Sequence, residues 1–174
     1  MRDWHSRVEQ TYEKLLTEEL GEGECGAFLV WGDPTLYDST LRIIEKIRSK
    51  GTVALEYDVI PGISSVQALA AKHRIPLNRI GEAIHLTTGR KLAEGFPHDA
   101  DSVVVLLDGE QSFKTIESTD VDIYWGAYIG TKDEILVSGR LSDVAHDIEM
   151  IRAQARREKG WIMDTYLLRK SGKK

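Results

Sequence analysis

Two turns in the first half of the chain carry residue types suited to binding a small molecule. Gly32-Asp33-Pro34 follows an unbroken apolar run at residues 27–31, and Pro61-Gly62-Ile63-Ser64-Ser65 follows an alternating segment at residues 53–60. A glycine at the carboxyl end of a strand lets the backbone approach a ligand closely, and an aspartate beside it accepts hydrogen bonds from a ribose or pairs with a cation. Two hydroxyls at a helix start add to the free amide donors there. Either turn taken singly is equally an ordinary turn with a helix cap. Three further turns, Thr87-Thr88-Gly89-Arg90, Asp108-Gly109 and Gly130-Thr131, follow apolar segments at 83–87, 102–107 and 123–129. As a set, the five turns outline a small-molecule cleft between two lobes.

Other chemistries lack their usual residues. The histidines at 5, 73, 85, 98 and 146 form neither an i, i+4 pair nor a cluster, so no metal site is expected. Cys25, the only cysteine, sits among glycines and glutamates without an evident base, and no nucleophile elbow occurs, which argues against nucleophilic hydrolysis. Neither the Walker pattern nor the dinucleotide glycine fingerprint is present.

The elements that must position these turns follow from hydrophobic spacing. Trp4, Val8, Tyr12, Leu15 and Leu16 recur at helical intervals over residues 1–20. The run at 27–31 suits a strand buried on both faces of a parallel sheet, and 53–60 suits its neighbour. A helix from Asp38 with Leu41, Ile44 and Ile47 stops at Gly51, and another, capped by Ser64 or Ser65, carries Val66, Leu69 and Ala70. In the second half, strands are expected at 83–87, 102–107, 123–129, 134–138 and 161–168, with a short helix around Phe113 and Ile116. Leu141, Val144, Ala145, Ile148, Ile151 and Ala155 mark the clearest amphipathic helix. Consecutive strands without helices between them indicate a mixed sheet, so a lobe boundary is placed near 80–82, and the 170–174 tail is expected to fray.

Composition narrows the class. With 174 residues, 41% hydrophobic and 29% charged, the chain suffices for one compact domain or two small lobes around a real core. A net charge of −5 without basic runs argues against nucleic acid as the main partner. No apolar run approaches the roughly 18 residues of a membrane span, and no secretory segment follows Met1, so a cytoplasmic location is expected.

The order of these motifs, Trp31-Gly32-Asp33-Pro34, then 61–65, then Thr88-Gly89-Arg90, then Gly130-Thr131 with Asp133 and Glu134, resembles the tetrapyrrole (corrin/porphyrin) methylase family. The blocks at 31–40, 75–82, 123–131 and 160–169 point to those members that methylate C-1 of a precorrin with loss of acetate in aerobic cobalamin biosynthesis. The resemblance implies a two-lobed α/β methyltransferase, with a parallel-sheet first lobe at 1–81 and a mixed-sheet second lobe at 82–174. It implies S-adenosyl-L-methionine bound between the lobes, a precorrin substrate and a homodimer. Carried over by position, the cofactor contacts are Trp31, Gly32, Asp33, Leu36, Ser64, Ser65, Asp108 and Gly130. Asp108 departs from the methionine of many relatives, and its acid either favours the cationic cofactor or bonds the neighbouring backbone.

Methyl transfer itself requires mainly positioning and exclusion of water, whereas release of acetate requires water attack on an acetyl carbonyl with help from a base. Candidates for that base are Asp33, Tyr37 and His85, and the sequence does not choose among them. Arg42, Arg74, Arg79, Arg90, Lys91 and Arg140 are the candidate partners for substrate carboxylates, although most surface cations are merely solvated. Two alternatives stay open: a methylase of a different ring position, or an inactive relative serving as a binding or dimerisation module. The second arises because members of the family begin with a strand, a glycine-rich loop and a helix, which residues 1–26 do not match. A first lobe lacking that segment is expected to leave an apolar flank exposed and to be less stable than a complete one.

Overall fold

The structure, a computed structural model, describes residues 2–21, 23–116 and 120–171. The chain divides into two compact units, Met1–Ser64 and Ser65–Lys174.

In the first unit, helix α1 (Arg2–Lys14) continues into a π-helical turn (Leu15–Glu19) and packs against α2 (Thr40–Lys50). Ile43, Ile44 and Ile47 form the buried stripe of α2. Its end follows from Gly51, which adopts φ 69° and returns its amide to the Arg48 carbonyl, a left-handed geometry that glycine reaches without steric cost. Across the helix pair, Glu9 is 5% exposed and its carboxylate bonds Lys46 and, at 2.6 Å, Lys50, while Glu13 bonds Lys50 at 2.9 Å. Tyr12 stacks on Phe28 with ring centroids 4.2 Å apart.

The strands expected at 27–31 and 53–60 are not formed, and with them the parallel pairing of the first lobe. A strand exists only where a neighbour accepts its backbone hydrogen bonds about 4.8 Å away. Neither segment has a ladder partner among the described residues. β-propensity without that partner leaves apolar side chains in water: Leu29 is 96% exposed, Ile60 83% and Ile63 77%.

The second unit holds a five-stranded mixed sheet. Strands β1 (Ile84–Thr88), β2 (Ser102–Leu106), β3 (Val121–Ala127), β4 (Ile135–Arg140) and β5 (Asp164–Lys170) lie in the order β1-β2-β5-β3-β4. The β1/β2 pair is parallel and the remaining pairs are antiparallel. Helix α3 (Ser65–His73) buries Val66, Leu69 and Ala70, as their spacing predicts, and its contacts with β3, β4 and β5 place it with this unit. It covers the face carrying Tyr124 and Gly126, where His73 meets the Tyr124 ring edge-on and Leu69 approaches Gly126. Alternation along the strands sends Val103, Val105, Ile123, Trp125, Tyr166 and Leu168 to the opposite face. There they form one core with α4 (Gly89–Leu92) through Leu92, a 3₁₀ turn (Ser112–Thr115) through Phe113, and α5 (Leu141–Lys159) through Leu141, Ile148 and Ala155. At the tail, Lys170 donates its amide to Asp101 and Ser171 its amide to Asp120. The rest of the expected frayed tail, 172–174, lies outside the described residues.

Candidate functional site

In the first unit the two glycine turns meet. The Asp33 carboxylate accepts from the Thr35 amide at 2.8 Å, from the Thr35 hydroxyl, and from the Gly62 amide at 2.8 Å. Gly62 packs so closely that a Cβ on it would lie 2.0 Å from the Gly32 carbonyl oxygen. Gly32 itself has φ 75°. Asp33 thus locks Gly32-Asp33-Pro34 onto Pro61-Gly62. The same three donors, Thr35 hydroxyl first, hold its carboxyl below the usual carboxylate range, so it stays charged and is a weak proton acceptor. Around this lock, Trp31 exposes 75% of its surface, Leu36 is half-buried and returns its amide to the Asp33 carbonyl, and Ser64 is buried. Tyr37 is 48% exposed at φ 53°, a left-handed conformation uncommon for a large side chain.

The second unit carries Ser65 as the first residue of α3, His85 on β1, Asp108 after β2 and Gly130 after β3. Asp108 is 7% exposed and its carboxylate receives four donors: the Ser112 amide at 2.6 Å, the Ser112 hydroxyl at 3.0 Å, the Glu110 amide at 3.2 Å and the Tyr166 hydroxyl at 2.6 Å. Of the two roles open to this acid in the sequence, the geometry supplies the backbone-bonding one. Burial, then the Asp108 carboxylate, pushes the Tyr166 phenol far above its ordinary range. Gly89, at the head of α4, stands against the same group: a Cβ there would meet Asp108 Oδ1 at 2.2 Å.

Gly130, at φ 82°, donates its amide to Glu134 Oε2 at 2.7 Å, and Lys72 of α3 holds Glu134 Oε1 at 3.1 Å. The amide of Gly130, then Lys72, draws the Glu134 carboxyl below its usual range. Helix α3 therefore links the Ser65 end of the second motif to the Gly130 turn. His85 is half-buried, with Nε2 3.5 Å from an Asp99 carboxylate oxygen.

Several cations expected to meet a substrate are engaged in the structure. Arg79 bonds Asp101 and the Lys170 carbonyl, Lys91 pairs with Glu94 at 3.0 Å, and Arg140 lies 3.5 Å from Asp122. Arg42 lines a groove of about 580 Å³ between α1 and α2 with His5, Glu9 and Lys46, a place that includes none of the motif residues. Arg74 and Arg90 are exposed. Arg152, Asp164 and Tyr166, which support the Asp108 loop, are missing from the sequence-level candidates. Arg152 nevertheless gives a signal, since it lies four residues after Ile148 and three before Ala155, a charge on the apolar stripe of α5.

Residues 3–145 match the model of the tetrapyrrole (corrin/porphyrin) methylases. The chain is 58% identical over 168 residues to a precorrin-6A synthase (deacetylating) of Sinorhizobium sp., covering 97% of this chain and 64% of that protein. Among solved structures, a cobalamin-synthesis-related protein (CobF) of Corynebacterium diphtheriae superposes with a TM-score of 0.91 at 43% identity, over 98% of this chain and 72% of that one. A uroporphyrin-III C-methyltransferase of Thermus thermophilus, solved with S-adenosylhomocysteine, shares the fold at TM-score 0.56 and 17% identity, over 97% and 72% of the two chains. The Asp33-Gly62 lock, the Asp108 loop and the Gly130 turn are thus features of a chain that belongs to the tetrapyrrole (corrin/porphyrin) methylase family.

Proposed function

We propose that this chain acts in the S-adenosylmethionine-dependent methylation of C-1 of a precorrin with loss of acetate, the precorrin-6A synthase reaction of cobalamin biosynthesis. The observation that carries this reading is the 58% identity over 97% of the chain to a protein of that name. Because the chain spans 64% of that relative's length, activity in the isolated polypeptide is the point for experiment.

The residues fit the cofactor's chemistry. Gln111 Oε1 is a buried acceptor with no partner among the described residues, beside the Asp108 turn, and suits an amino group. The exposed faces of Trp31 and Leu107 suit apolar parts of the ligand, and the Gly62 approach to Gly32 keeps side chains away from a backbone surface. S-adenosylmethionine held there would supply an electrophilic methyl group for C-1 of the precorrin. Trp31, Gly32, Asp33, Leu36, Ser64, Ser65, the Asp108 turn and Gly130 orient it in this reading, Asp33 contributing a fixed negative charge. Of the three candidate bases, Asp33 is already committed to three donors. His85, half-buried on β1 and not committed in that way among the described residues, is in this reading the better group to take a proton from water attacking the acetyl carbonyl. The reading includes a cytoplasmic homodimer; among the described residues no helix is long and apolar enough to cross a membrane, and the net charge of −5 disfavours nucleic acid.

Calorimetric titration with S-adenosylhomocysteine tests the cofactor assignment. Saturable one-site binding, displaced by S-adenosylmethionine, is expected, and heats indistinguishable from dilution would overturn it. A second reading, a module that binds without turnover, draws on the exposure of Leu29, Ile60 and Ile63. Binding without methyl transfer would select it.

A further inference from the structure

Below the loop that follows β2 lies a set of buried polar groups that all converge on that loop. The loop is bounded by two non-glycine residues in left-handed conformations, Leu107 at φ 55° and Gln111 at φ 60°. Such residues persist only where the surroundings over-determine them. Arg152 is 6% exposed on α5. Its Nη2 donates to the Asp108 carbonyl at 2.9 Å, its Nη1 reaches the Gly109 carbonyl at 3.5 Å, and its Nε donates to Asp164 Oδ2 at 3.0 Å. Asp164 is fixed in turn by the Trp125 indole N–H at 2.9 Å. The Asp108 carboxylate of the same loop takes its four donors. A helix, two strands and the 3₁₀ turn are therefore joined to five residues of loop, which presents Leu107 at 69% exposure and encloses the Gln111 Oε1, a buried acceptor without a hydrogen-bond partner among the described residues.

A charge buried on a helix stripe is costly unless paired, and replacing such a pair by apolar groups is often neutral for stability. Stability alone therefore gives no reason for this arrangement, whereas a loop that must be held in one strained conformation for a ligand does. We propose that Arg152 is a positioning residue, whose guanidinium clamps the Asp108 and Gly109 carbonyls so that residues 107–111 present one preformed surface to an adenosyl ligand. The claim rests on the cofactor reading above and adds to it a residue that touches no ligand. Asp164 orients the clamp, and the Tyr166 hydroxyl holds the Asp108 carboxylate of the same loop.

The test compares Arg152→Met, Arg152→Lys and the paired Arg152→Met/Asp164→Asn with Arg169→Met. Arg169 is 7% exposed and bonds Ser102 and the Pro76 and Leu77 carbonyls, far from this loop in the sheet. The paired variant removes the buried charges together, so the test survives if the single Met variant fails to fold. Each protein is titrated with S-adenosylhomocysteine, and amide exchange is followed at residues 109–112. Expected is a loss of about tenfold or more in affinity with faster exchange at 109–112 in the Met variants. Arg152→Lys, with one ammonium for two carbonyls and a carboxylate, falls between them and wild type. Arg169→Met lowers Tm yet keeps affinity within about twofold. Equal affinity losses in Arg169→Met and the Arg152 variants, or wild-type affinity in the paired variant, would overturn the proposal. A wild-type chain that binds no S-adenosylhomocysteine would instead overturn the cofactor reading, while unchanged exchange in the Arg152 variants would refute the clamp separately.

Discussion

Gly89 and Gly109 are twenty residues apart on either side of the same carboxylate, and they give opposite expectations for one methyl group. Gly89→Ala places a Cβ 2.2 Å from Asp108 Oδ1, 2.3 Å from its Cγ and 2.6 Å from its Cβ. Ordinary contact begins near 3.4 Å, so the carboxylate must retreat by about 1 Å, yet it is tied to the Ser112 amide at 2.6 Å and the Tyr166 hydroxyl at 2.6 Å. Overpacking costs roughly 1–3 kcal/mol, and weakening two charge-assisted hydrogen bonds adds about 1–2 kcal/mol, for a sum of about 2–5 kcal/mol. At this chain length each kcal/mol moves Tm by about 2–4 °C, giving a fall of about 10 °C. A Cβ on Gly109 meets nothing within 4 Å, and Gly109→Ala should leave Tm unchanged or slightly raised. Calorimetric melting of the two variants beside wild type is sufficient. Gly89 heads a helix, where alanine is otherwise favourable, so an unchanged or higher Tm for Gly89→Ala would refute the close approach on which the Asp108 loop depends.

The remaining expectations are brief. Asp33 has a folded-state pKa below its ordinary value, so its contribution is present above about pH 4 and is lost as pH falls through the folded pKa. The Tm difference between wild type and Asp33→Asn should close in that acid window, and a constant difference down to pH 2 would contradict the lock. Tyr166 is shifted upward, so its contribution holds below about pH 10 and fades above it. Its phenolate absorbance should appear only with unfolding, and Tyr166→Phe should remove that step. Leu29→Ser and Ile60→Ser alter side chains that are 96% and 83% exposed, so aggregation on heating should fall while stability stays within about 0.5 kcal/mol. Light scattering during the melt reads this, and unchanged scattering would mean the apolar flank has no part in association. His85→Ala should slow acetate release more than methyl transfer, and equal loss of both would remove His85 as the base.

The parts legible in the sequence were those decided by local pattern. Ile44 and Ile47 of α2, the Gly51 stop, Val66 and Leu69 of α3 and the stripe of α5 all follow from spacing and cap chemistry, whereas Leu41 is only half-buried and Ile43 takes its place in the α2 stripe. So do the five strands of the second unit, with boundaries displaced by at most three residues. The strands at 27–31 and 53–60 failed because an apolar run specifies burial, while a ladder needs a partner the run cannot encode. The turns around Asp33 and Gly130 were recognised, but not their locks: the Gly62 amide lies 29 residues from Asp33, and Lys72 lies 58 residues before Gly130. Arg152 is not legible in this way, because a charged residue at a stripe position reads as the edge of the stripe until its acceptors are seen.

Turnover is the most direct readout of the proposed activity. The purified chain is incubated with methyl-labelled S-adenosylmethionine and the precorrin substrate, and label in the tetrapyrrole and free acetate are counted together. One labelled methyl gained per acetate released, abolished by S-adenosylhomocysteine, is the predicted result. Methylation without acetate, or neither product from a folded chain that binds the cofactor, would contradict it.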